Sequence, residues 1–226
     1  MIRLLVALVL TAGLHTPAVA EPVITLVGTG SVVAVPDKAY VTVAIETVAD
    51  SARDAQASNS AAGGQTILAL REAGVRAQDL RTETFAITPV YAPRSSGSDE
   101  ALRISGYRVV NRIEATVYNI VALGDLLDAV VESGANRIEG LRFAVSNEDE
   151  LLDEARRRAV TEATRRAQLY AEAMGVVLGP VQSLREGTGG HPGPSQMAQT
   201  RMATPVMPGM LDISATVTMS WAIFDR

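Results

Sequence analysis

Hydrophobic and polar positions change period along the chain, and the clearest run is Gly106 to Val145. From Tyr107, Val109, Ile113, Ala115 and Val117 fall on one face and Arg108, Arg112, Glu114 and Thr116 on the other, the alternation of a half-buried strand. Val121, Leu123, Leu126, Leu127, Val130 and Val131 then recur at three and four residues, which predicts an amphipathic helix of about three turns. Gly134 stands where a left-handed residue can satisfy the last carbonyls of that helix, and Asn136 is a turn residue tolerant of the same region. Ile138, Leu141, Phe143 and Val145 resume as a strand. A strand, helix, strand unit of this size makes its two strands parallel, with the helix laid across one face.

The same logic extends in both directions. Val23 to Val35 and Tyr40 to Val48 read as strands with Pro36-Asp37 as the turn between them, and Val41, Val43 and Ile45 oppose Tyr40, Thr42 and Glu46. Ser51 to Ala73 reads as a helix, capped by Ser51 with Asp54 and stopped by Gly74. Its apolar face is thin, mostly Ala52, Ala55, Ala62, Ile67 and Leu70, and Gly63-Gly64 weakens its middle. A third strand runs from Leu80 to Tyr91 with Phe85 and Ile87 on one face, and residues 94–100 form a polar hairpin tip. After Val145, Ser146 or Asn147 caps the longest helix. Its stripe of Leu152, Ala155, Ala159, Ala163, Ala167, Tyr170 and Met174 is dominated by small residues that admit a close neighbour. Gly175 stops it, Val181 to Arg185 is a short strand, and Ile213 to Ile223 alternates cleanly as the last one. The expected fold is α+β: mixed, largely antiparallel sheets packed with about three helices, with two strand-helix-strand units sharing one core. No Pro, Gly or Ser-rich linker divides the units, so residues 21–226 are expected to form a single domain.

The first 20 residues have another purpose. Arg3, an apolar run from Leu4 to Leu14 and Ala18-Val19-Ala20 make a secretory signal with cleavage between Ala20 and Glu21; a run of 11 residues falls short of the roughly 20 needed to span a bilayer. No later stretch is long and apolar enough to span, so no stable membrane insertion is expected. Without Arg3 the mature chain has 19 basic against 25 acidic side chains, a net charge of −6 that argues against nucleic acid. Arg156-Arg157-Arg158 and Arg165-Arg166 lie among Asp153, Glu154 and Glu162 at helical spacing, as on a solvated, ion-paired helix face. Gly28-Thr29-Gly30 lies inside extended sequence, opens no helix and lacks a third glycine, so it reads as a bulge or bend rather than a nucleotide loop.

Several motifs together resemble the SIMPL-domain family, which includes the bacterial periplasmic immunogenic proteins. They are Val35-Pro36-Asp37-Lys38-Ala39, Thr82 with Pro89 and Tyr91, and Gly106-Tyr107 with Val109 and Asn111. Gly134-Ala135-Asn136, Gly140 to Phe143 and the spaced alanines of 155–173 complete the set. The resemblance covers nearly the whole mature chain and implies an exported protein of a Gram-negative periplasm, linked to stress defence and oligomer formation. It brings no agreed catalytic motif.

The residues point the same way on chemistry. The chain has no cysteine, and of its two histidines only His191 survives maturation, so Cys-His catalysis is excluded and a Ser-His-Asp triad or histidine-rich zinc site is disfavoured. The expectation is a non-enzymatic protein without a cofactor. An oligomeric scaffold ranks first, with the terminal strand as an open edge and the alanine stripe as a second contact surface. A small-ligand or metal module ranks second, and an enzyme third. The metal candidate is the stretch 187–209 and its flank, where Met197, Met202, Met207 and Met210 put four of seven methionines within 14 residues. Soft thioethers favour Cu(I), though flexible methionines also form contact surfaces.

Overall fold

The computed structural model describes residues 22–93, 102–187 and 208–226. Its strands are β1 (Val23–Ala34), β2 (Lys38–Ala49), β3 (Leu80–Tyr91), β4 (Ile104–Val117), β5 (Arg137–Ala144), β6 (Val176–Glu186) and β7 (Leu211–Asp225). Its helices are α1 (Ala52–Glu72), α2 (Leu123–Glu132) and α3 (Glu148–Met174). They build two antiparallel sheets, one in the order β1-β7-β6 and one in the order β3-β4-β2-β5.

The four-stranded sheet consists of the two strand-helix-strand units, interlocked. β4 and β5 both flank β2 and run antiparallel to it, so they are parallel to each other with one strand between them; β2 and β3 flank β4 in the same way. This is the split β-α-β arrangement of ferredoxin-like folds. Both helices cover one face and share one core of Val41, Val43, Ile45, Ile113, Ala115, Leu123, Leu126 and Val130. Two expectations for α2 need correction. The helix begins at Leu123 after a 3-10 turn, so Val121 points to solvent at 97% exposure, and Val131 is also exposed. β5 departs from alternation between Ile138 and Leu141 because a bulge, with Glu139 as the extra residue, breaks its register against β2.

α1 keeps its predicted cap, with the Asp54 amide donating to Ser51 Oγ at 3.1 Å, and ends at Gly74 with φ +93°. Its inner face differs from the expected one: Ala55, Asn59, Gly63, Thr66 and Leu70 are buried, whereas Ile67 is not. Asn59 is fully buried and donates to Ile45 O at 2.8 Å and Val109 O at 3.3 Å, pinning the helix to both central strands. Gly63 lies beside it, where a Cβ would come within 3.2 Å of Asn111 Nδ2 and require that side chain to shift by a few tenths of an ångström. The glycine that weakens the helix makes room for an inward polar side chain on β4.

The three-stranded sheet overturns three further expectations. Pro36-Asp37 does not close a hairpin: β1 pairs with β7 and β2 with β4 and β5, so the turn passes the chain from one sheet to the other. Asp37 secures that passage by accepting from the Ser146 amide at 2.7 Å, at the other crossing just before α3. Gly28 and Gly30 form no bulge, because β1 pairs with β7 in unbroken register. Their role is close approach: a Cβ at Gly28 would meet Ala159 O at 2.1 Å, and one at Gly30 would meet Ala155 O at 2.2 Å. The alanine stripe is thus filled by β1 and continues through Ala171, leaving Tyr170 and Met174 outside. Finally, β7 is the central strand of its sheet, so the terminal strand offers no open edge. β6 is longer than expected and starts directly after Gly175. The polar hairpin tip at 94–100 lies outside the described residues.

Candidate functional site

The turn after α2 shows how backbone requirements place side chains. Gly134 has φ +107°, a conformation that strains any residue with a Cβ, and Ala62 of α1 packs 3.6 Å from where that Cβ would be. Two residues on, the Asn136 amide behaves as a strand residue would: Nδ2 donates to Glu46 O at 2.7 Å and Oδ1 accepts from Glu46 N at 3.1 Å. The ladder between β2 and β5 is thereby extended by a side chain.

Beyond this turn, the face of the four-stranded sheet turned away from the helices carries a lattice of ion pairs. Glu46 bridges Arg108 and Arg137, Glu139 bridges Arg112 and Arg137, and Arg81 joins Glu83 to Glu114. The hydrogen bond from Arg112 holds the Glu139 carboxyl below its ordinary value and, reciprocally, raises the Arg112 guanidinium. At the β5 end, Arg142 stacks on the Tyr40 ring at 4.3 Å and Lys38 approaches the same ring at 5.5 Å. Among the described residues neither has a carboxylate partner.

The sheet edges differ in how they meet solvent, and exposed edges invite pairing with another chain unless they are blunted. β1 is covered: Arg158 donates to Ser31 O at 2.7 Å and Arg166 to Val27 O at 3.0 Å, while Arg156, Arg157 and Arg165 pair along α3 as expected of a solvated helix face. β5 is short and bulged, and β6 carries Pro180 and two breaks in register. β3 has a smoother stretch. Between the irregularity at Glu83 and Pro89 it presents Thr84 to Thr88, with Phe85 at 49% and Ile87 at 39% exposure because α1 is centred over β2 and β4. Ile67, Tyr91 and Ile104 are also exposed. Sequence reasoning found Phe85 and Ile87 as one face of a strand; their exposure follows from strand order, which the local pattern does not encode.

Of the methionine candidates, Met210 is exposed just before β7, and Met197, Met202 and Met207 lie outside the described residues, as do His191 and the Ala20–Glu21 junction. Among the described residues no group of three His, Cys, Asp or Glu side chains has metal-binding geometry, and no helix is long and apolar enough to cross a membrane. Asn59 and Asn111 were missed as inward polar residues. Their signal was present: Asn59 sits at spacing four between Ala55 and Gly63, and Asn111 shares the parity of Val109 and Ile113. Each keeps a buried Oδ1 without a hydrogen-bond partner among the described residues.

An antiparallel ferredoxin-like sheet joined to a second, helix-covered sheet defines the class of fold, and sequence comparison gives the family. The profile of SIMPL, described as "Protein of unknown function (DUF541)", matches residues 24–221, and the chain belongs to that family. It is 32% identical over 164 residues to the 26 kDa periplasmic immunogenic protein of Brucella melitensis, an alignment covering 72% of this chain and 66% of that protein. It is 30% identical to the uncharacterized protein YggE of Escherichia coli K12 (73% of this chain, 65% of the relative) and of Edwardsiella ictaluri (70% and 65%). The matched region thus spans just under two thirds of these relatives' length.

Proposed function

We propose that the protein is a non-enzymatic component of the bacterial periplasm that acts by self-association, as an envelope scaffold tied to stress defence. The location is supported by the name of the Brucella relatives and by the leader-like residues 1–20 with their Ala20–Glu21 junction. The observation that carries self-association is the β3 edge: an unblunted strand segment beside exposed Phe85, Ile87 and Ile67 can add a strand from a second copy and bury its apolar flank. Light scattering coupled to size-exclusion chromatography tests this at tens of micromolar. The mature protein is expected to run above its monomer mass, and Phe85→Glu with Ile87→Lys is expected to return it to monomer. A wild-type monomer contradicts the reading. Mass spectrometry of the native protein tests export, with a chain starting at Glu21 expected and an intact Met1 contradicting it.

A second reading, Cu(I) binding by Met197, Met202, Met207 and Met210, is supported by the density of thioethers and by the exposure of Met210. Leucine at all four positions preserves apolar bulk without sulfur. Anaerobic titration against a competing chelator is expected to show affinity in the wild type alone; equal affinity in both proteins removes the metal.

A further inference from the structure

Where the two sheets meet, a cavity of about 450 Å³ opens between β5, β2 and the start of α3, within the roughly 300–1,000 Å³ range of small-ligand sites. Its wall includes Tyr40 and Arg142 from the four-stranded sheet, Glu148 from the first turn of α3, and Val145 and Leu211 from the junction. The two charged groups are unusual in their surroundings. Arg81, Arg108, Arg112 and Arg137 on the same sheet face are all ion-paired, whereas Arg142 and Glu148 line one cavity without pairing with each other or with any described residue. Both are prepared for a partner. The Arg142 guanidinium lies over the Tyr40 ring at 4.3 Å, and Lys38 adds a second positive charge 5.5 Å from the same ring. Glu148 sits where the free amides of a 27-residue helix favour a carboxylate.

A cation and an anion that line one cavity without pairing complement a ligand carrying both charges. We propose that this cavity binds a small zwitterion, a free α-amino acid, with its carboxylate on Arg142 and its ammonium on Glu148. Behind the charged groups, Val145 and Leu211 are nearly buried and belong to a small core with Ile213. The site does not depend on self-association, because all its groups come from one chain.

Isothermal titration with L-leucine, N-acetyl-L-leucine and L-leucinamide tests it directly. Leucine is expected to bind, while the acetylated analogue, which loses the ammonium, and the amide, which loses the carboxylate, bind at least about tenfold more weakly, the scale of one charge-assisted hydrogen bond. Arg142→Gln and Glu148→Gln are each expected to weaken leucine binding at least about tenfold, with melting midpoints and far-ultraviolet spectra confirming that both variants fold. No heat with millimolar leucine, either variant binding like the wild type, or an acetylated analogue that binds as well as leucine overturns the proposal. Light scattering on the same samples reports association separately, so a monomer that binds leucine sinks the scaffold and leaves this site standing.

Discussion

The edge strands β1 and β3 have similar length and opposite fates. β1 gives up two side chains, at Gly28 and Gly30, so that α3 can lie against its backbone, and the helix then reaches over the edge with Arg158 and Arg166 to occupy main-chain carbonyls. β3 keeps bulky side chains, but its helix sits over the neighbouring strands, so Phe85 and Ile87 remain half in water. The difference shows that a helix seals an edge only where small residues let it come close. The contrast is confined to the edges: α3 covers the β1 edge, although the far face of that sheet keeps Val27, Val33 and Leu184 exposed, whereas the β3 edge keeps Phe85 and Ile87 half in water beside an uncovered strand.

If close approach is what seals β1, Gly28→Val should have the largest effect. Its Cβ would fall 2.1 Å from a helix carbonyl rather than from a movable side chain, and a loss of about 3 kcal/mol or more is expected in denaturant titration. A loss below about 1 kcal/mol would show that α3 can move away freely. Gly134→Ala acts through the backbone instead of packing: at φ +107° it should cost about 1 kcal/mol, and an unchanged midpoint would remove the strained stop after α2. Gly64→Ala should have the opposite sign. Nothing lies within 4 Å of its Cβ position on α1, so the gain in helix propensity, about 0.5–1 kcal/mol, is expected to appear as a higher midpoint.

The smallest effect is electrostatic. Glu139 has its folded pKa lowered by the hydrogen bond from Arg112, so its stabilisation is complete above the ordinary value of 4.5 and disappears as pH falls through the lower folded value. Glu139→Gln should therefore lower stability slightly at pH 7 and leave it unchanged near pH 2, where wild type and variant midpoints should converge. A gap that persists at pH 2 would assign the loss to packing.

Most strands and all three helices were legible because their signals are local: alternation in β4 and β7, a capping serine at 51, glycines at 74, 134 and 175. The matching of Gly28 and Gly30 to the alanines of α3 was not, although both patterns were visible. They are two halves of one contact separated by about 130 residues, and a lone strand glycine is compatible with a bulge or with close approach until its partner is known. Strand order was hidden for the same reason, which is why β7 was expected at an edge and the exposure of Phe85 and Ile87 was not foreseen. Asn136 was read as a turn former, yet its amide imitates a peptide group toward Glu46, a role set by the strand that happens to lie opposite.

Hydrogen exchange measured as a function of protein concentration tests most directly whether the open edge is the one that engages a second copy. Amides of Thr84–Thr88 should become more protected as concentration rises from nanomolar to tens of micromolar, while those of Val27–Ser31, already covered by α3, should not change. Protection that grows on β1, or that stays flat on both strands, would contradict the account.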